Sequence, residues 1–216
     1  MRKSLLAAVL ALLALLPAAA ANLTPEQQKP IDYTACGLKV KIDRRRPLEA
    51  WKPLVSAYSA RHYGENTWKL APVAIVLHYT AGTSFPWNLV SSKDFAGETP
   101  GLASHYVVDG ANVWEIVPPT VRSRGAYGIN HRAINIEMVA ADAPNLARRP
   151  ETLKTAARLT RCLMQHFGIE GQKIYSHQLV GTMDPKLVPE AYDKLHPEPY
   201  HKIDPGELNM ATIRKL

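Results

Sequence analysis

The sequence has no apolar stretch long enough to cross a membrane. Its unbroken run of Leu, Ala and Val, Leu5 to Leu16, has 12 residues, where a helical span needs about 20. Long basic runs are also missing. Arg44, Arg45 and Arg46 form the one tight positive cluster, a solvated loop accounts for it, and nucleic acid is not an expected partner. Cysteine is scarce: Cys36 and Cys162 are the pair present. Neither directly follows the apolar run, so a lipid-anchored cleavage site is excluded. No internal repeat or low-complexity tract follows residue 21. No His-Glu-x-x-His pair occurs, which excludes two metal ligands on adjacent turns of one helix.

What is present begins with a leader. Arg2 and Lys3, the apolar run, Pro17 and then Ala18 to Ala21 read as a secretory signal peptide over residues 1–21. An uncleaved membrane anchor is the lesser alternative. Removing the first 21 of 216 residues leaves 195, one domain of ordinary size. Losing Arg2 and Lys3 takes the formal charge from +7 to +5, a mild excess suited to an anionic surface. The expected location is periplasmic or secreted, and a monomer is expected. Export permits a disulfide between Cys36 and Cys162, although their spacing does not show that they meet. A buried free thiol at Cys162 is the other reading. Residues 22–50 are polar and rich in Pro and Lys, as an irregular N-terminal extension would be, and the domain proper spans 51–216.

The strongest pattern is Val73–Tyr79 (VAIVLHY), apolar on both faces like a central buried strand. Ser104–Asp109 and Val113–Val117 read as a hairpin about Gly110–Asn112, and Ala133–Ala140 (AINIEMVA) as a further strand. Glu151–Phe167 is a helix, opened by Pro150 and ended by Gly168. Lys173–Ser176 is a short strand with His177 at its end. Strands and helices mix without regular alternation, which predicts an α/β fold with a central mixed β-sheet flanked by α-helices.

Three polar residues stand out. His78 ends the buried strand, His177 ends KIYSH, and Asp204 lies in HKIDPG. Two His and a carboxylate with an open fourth position form a known catalytic zinc set. Spacing alone leaves hydrogen-bonded or surface histidines equally open. Glu137 adds weight. In AINIEMVA, Ile134, Ile136 and Met138 share one face, and Asn135, Glu137 and Val139 share the other. A carboxylate in such a strand is costly to bury unless paired or used, so it reads as a general base or as half of a salt bridge at a sheet edge.

Together, LHYTAGT, LASHYVVDGANVWEIV, INIEMV, SHQ and KIDPG resemble the amidase-2 family of N-acetylmuramoyl-L-alanine amidases, from about Val73 to Gly206. The resemblance implies a zinc enzyme acting on peptidoglycan or muropeptides. It would cut the amide between the N-acetylmuramic acid lactyl group and L-alanine. It also implies roles: His78, His177 and Asp204 as zinc ligands, Glu137 as catalytic base, Lys202 as oxyanion stabiliser, and His105 lining the cleft or supporting the sheet. A metal-free peptidoglycan-binding module and a zinc peptidase cutting within the stem peptide are the alternatives. Two departures from the family pattern stand out. Asp204 follows His177 by 27 residues, where the family's gap is about ten. The intervening Pro- and Tyr-rich segment also carries Asp184, His196 and His201, each a rival ligand. In place of the family's His-Ala-Gly segment the chain has Arg124-Gly125-Ala126-Tyr127-Gly128.

Overall fold

The computed structural model describes residues 22–216, so the expected leader at 1–21 lies outside the described residues. Six strands form one mixed sheet: β1 (Val40–Ile42), β2 (Ala74–Tyr79), β3 (Tyr106–Asp109), β4 (Asn112–Glu115), β5 (Ala133–Met138) and β6 (Ile174–Ser176), in the order β1-β4-β3-β5-β2-β6. Neighbours are parallel except the β3–β4 hairpin. Among the described residues six α-helices flank the sheet, α1 (Leu48–Tyr63), α2 (Asn88–Ser91), α3 (Ala143–Ala147), α4 (Pro150–Phe167), α5 (His177–Val180) and α6 (Glu207–Lys215), with a 3₁₀ turn at Gly171–Lys173. The expected α/β architecture is therefore present.

The two-sided burial of β2 and β5 follows from their position between parallel neighbours. Ile75, Leu77, Ile134, Ile136 and Met138 point to one face and pack against Leu153, Ala156, Leu163 and Phe167 of α4. The opposite face carries Ala74, Val76 and Ala133 in one cluster with Tyr175 and Val188. Beside it, Trp51 and Val55 of α1 pack on Val107 and Val139. His78, Asn135 and Glu137 belong to this second face by strand alternation.

The segment before the domain contributes more than an irregular cover. Val40–Ile42 adds the edge strand β1, and α1 begins at Leu48, inside the polar stretch. Cys36 is bonded to Cys162 of α4, so neither thiol is free. Tyr33 reaches Tyr106 Oη at 2.6 Å and donates to Glu115 Oε2 at 2.7 Å, while Arg44 pairs with Glu115 at 2.6 Å. His177 does not end a strand. Ser176 stops β6 and accepts a hydrogen bond from Leu179 N–H, which makes His177 the first residue of α5.

Candidate active site

The carboxyl ends of β2, β5 and β6 meet beneath a cleft of about 760 Å³. His78 is the penultimate residue of β2 and is in direct register with Glu137 of β5. The adjacent strand β6 leads into α5, which delivers His177. Asp204 comes from the loop before α6, and its carbonyl accepts from Gln178 N–H at 3.0 Å. Three side-chain atoms then converge. His78 Nδ1 lies 2.9 Å from His177 Nδ1, and Asp204 Oδ2 lies 3.1 Å from each. No other cluster of His, Cys, Asp or Glu among the described residues has ligand atoms so close together.

This triangle is poorly explained as a hydrogen-bond cluster. Its corners are two imidazole nitrogens and a carboxylate oxygen, three atoms able to offer lone pairs to one cation. A tetrahedral zinc site with bonds of about 2.0–2.1 Å has ligand separations of about 3.3 Å, close to those seen. Burial, with His78 beside it, lowers the His177 pKa to about 4, favouring the neutral, ligating imidazole. Asp204 is held well below the usual carboxylate range. Burial opposes ionisation there, but hydrogen bonds from His177 and His78 outweigh it. The residues present fit a zinc ion.

Glu137 sits on the central strand β5, between β2 and β3, so the sheet-edge salt bridge does not apply. It is buried, and its Oε2 has no hydrogen-bond partner among the described residues. Desolvation raises its pKa to about 7 against the opposing pull of the His78 charge. Lys202 lines the same cleft from the loop before Asp204. His105 does not line it. It is fully buried under β5, where Asn135 N–H donates to its Nδ1 at 2.9 Å, so the sheet-supporting alternative is the one realised.

The rival ligands fall elsewhere. Asp184 caps its own turn, accepting from Lys186 N–H at 2.8 Å. His196 stacks near His62 and Tyr127 on the cleft wall, and His201 is exposed there. The long segment between His177 and Asp204 leaves the site and returns. Tyr200 N–H donates to Gly181 O at 2.8 Å and closes the excursion at its base. Its far side is docked on α1, where Lys194 N–H donates to His62 O at 2.6 Å, and on the 125–128 turn, where Tyr192 N–H donates to Gly128 O at 2.8 Å. Arg124 lines the cleft, but its guanidinium is committed to Glu98 and to the carbonyls of Phe95, Glu98 and Pro100. The sequence reading gave no role to Asn135 or Ser123. Strand alternation had already placed Asn135 on the Glu137 face, and that was the available signal.

A family model described as N-acetylmuramoyl-L-alanine amidase, Amidase_2, matches residues 68–207. The chain belongs to the amidase-2 family. Among solved structures, this family member is similar to the hydrolase AmiA of Staphylococcus aureus in complex with its ligand. The two share 18% identity over 87% of this chain and 89% of that one, with a TM-score of 0.51, which is a likeness of fold. An endolysin N-acetylmuramoyl-L-alanine amidase, LysCS from Clostridium intestinale, aligns at 18% identity over 64% of this chain and 80% of its own, with a TM-score of 0.46. No curated protein sequence matches the chain. The family match spans His78, Glu137, His177, Lys202 and Asp204, so the whole candidate site lies within it.

Proposed function

We propose that this chain is a zinc-dependent N-acetylmuramoyl-L-alanine amidase, releasing stem peptides from peptidoglycan or its fragments. The observation that carries the reading is the His78–His177–Asp204 triangle beside a buried Glu137 carboxylate with a free oxygen. Those three side chains would hold the ion, which when bound supplies Lewis acidity and brings a water pKa towards neutrality. Glu137, with its pKa raised to about 7, takes the proton of the attacking water and delivers it to the leaving amide nitrogen. The Lys202 ammonium stabilises negative charge developing on the carbonyl oxygen. Burial of Glu137 keeps bulk water from competing for that proton.

Residues 1–21 serve as a cleaved leader in this reading, with 22–50 as an extension bound to the domain at 51–216. The Cys36–Cys162 bridge supports passage to an oxidising compartment. No helix among the described residues is long and apolar enough to cross a membrane. Digestion of purified peptidoglycan, with mass spectrometry of the products, tests the proposal. Free stem peptides beginning with L-alanine are expected. Fragments cut within the stem would assign a peptidase instead, and wall binding without products would leave a binding module.

A further inference from the structure

Behind His78 lies a chain of polar side chains, each 0–2% exposed. His78 Nε2 is 3.0 Å from Asn135 Oδ1. Asn135 Nδ2 donates to Ser123 Oγ at 3.0 Å. Ser123 Oγ lies 3.2 Å from His105 Nδ1, and His105 Nε2 lies 3.0 Å from Val121 O. The proposed reaction uses none of these groups except His78.

The direction of the bond to His78 follows from the groups around Asn135. Val121 O is a carbonyl and only accepts, so His105 carries its proton on Nε2. Burial lowers the His105 pKa to about 3 and keeps the ring neutral, so its Nδ1 is a lone pair. That lone pair already accepts from Asn135 N–H at 2.9 Å, so it fixes the backbone at Asn135. The side chain is set by Asn130. Asn135 Nδ2 also lies 3.4 Å from Asn130 Oδ1, an atom identified as oxygen because it accepts from Gly125 N–H and Ala126 N–H. The Asn135 amide cannot flip, and its Oδ1 faces His78. An amide oxygen accepts, so at 3.0 Å His78 Nε2 donates to it and carries a proton. A methyl group on Gly125 would lie 2.8 Å from Asn135 Cγ, so the amide is also held by close packing.

We infer that Asn135 is a positioning residue: with its amide oriented by Asn130, its Oδ1 holds a proton on His78 Nε2 and so leaves Nδ1 as the ring nitrogen that serves the metal site. The two histidines then differ. The His177 Nε2 atom has no partner among the described residues, so nothing there orients its ring. Ligating histidines are commonly oriented by a hydrogen bond on their other nitrogen, and losing it costs about 10–100-fold in affinity.

This inference rests on the zinc reading, and the test separates the two. Long-range ¹H–¹⁵N spectra of the metal-free full chain, at a pH where both imidazoles are neutral, report the ring tautomers directly. A proton is expected on Nε2 of His78. Asn135→Leu should lose the His78 preference and bind zinc about 10–100-fold more weakly in chelator competition. Asn135→Asp keeps an acceptor oxygen, and should keep the tautomer and most of the affinity. A proton on His78 Nδ1 in the wild-type protein overturns the inference without needing any variant. So does an Asn135→Leu protein that melts cooperatively and binds zinc as the wild type does. Failure of the wild type to bind zinc, with His78 in the expected tautomer, overturns the function and leaves the hydrogen-bond chain standing.

Discussion

Replacing Asp193 by Asn would separate the charge that anchors the 182–199 excursion from its shape. Asp193 Oδ2 lies 2.9 Å from His62 Nδ1, and Asp193 Oδ1 accepts from Leu195 N–H at 2.9 Å and His196 N–H at 3.1 Å. Glu98 holds the other ring nitrogen, His62 Nε2, at 3.0 Å. Both His62 and Asp193 are buried. Burial opposes the charged ring, but the hydrogen bonds to Asp193 and Glu98 outweigh it and raise the His62 pKa above 6.5. A raised folded value stabilises the fold fully below the unfolded value, and the contribution fades as pH rises through the folded one. Asparagine keeps the oxygen that serves the two backbone N–H groups and offers only a donor to His62 Nδ1, which favours the neutral ring. The loss should be about 1.5–3 kcal/mol at pH ~5.5, the range for a charge-assisted hydrogen bond, and under about 1 kcal/mol at pH ~9. Asp193→Ala also strands the two N–H groups and the ring, and should cost about 3–5 kcal/mol at the lower pH. Denaturant titrations at the two pH values measure the difference. Hydrogen exchange over 182–199 shows whether the excursion loosens. Equal losses at both pH values, or a larger one at the higher pH, would refute the reasoning.

Glu137→Gln is nearly isosteric but cannot take a proton, so peptidoglycan turnover should fall at least about 10²-fold while zinc content stays unchanged. Normal turnover would remove Glu137 from the reaction. Cys162→Ser opens the bridge across 126 residues and should lower stability by about 2–5 kcal/mol by denaturant titration, with the active site intact. Gly181→Ala places a methyl carbon 2.5 Å from Tyr200 O. It should break the bond that closes the excursion and weaken zinc binding through Asp204, read by chelator competition.

The parts of the fold that the sequence shows clearly are those with strong periodicity. β2 and β5 are long apolar runs because both faces are buried, and α4 has one continuous apolar face. α1 is concealed because its buried residues include Ser59 and His62, and Pro53 lies within it. β1 is three residues long and largely exposed at a sheet edge, so it carries no alternation. His78 and Glu137 were readable because polar groups near the ends of apolar strands are conspicuous, while His177 and Asp204 rested on the family resemblance. Their convergence was not readable, since each pair is joined through backbone pairing rather than spacing. The 36–162 disulfide and the Asn135–His105 chain share that limit, because distance in sequence carries no information about distance across a packed sheet.

The long gap before Asp204 shows how a site can tolerate an insertion. His177 and Asp204 are 27 residues apart in sequence, yet their side chains touch. The Gly181–Tyr200 hydrogen bond short-circuits the path between them: four residues lead from His177 to Gly181, and four more from Tyr200 to Asp204. Gln178 N–H to Asp204 O then locks the returning strand beside α5. The site thus experiences a connection of about nine residues, close to the gap the family resemblance implies. Everything between 182 and 199 is free to serve another purpose. It builds one wall of the cleft, carrying His196 and leading back to Tyr200. Buried Asp193 and Val188 hold that wall in place. The excursion therefore shapes the cleft wall, while the short path through Gly181 and Tyr200 holds the triangle beneath it.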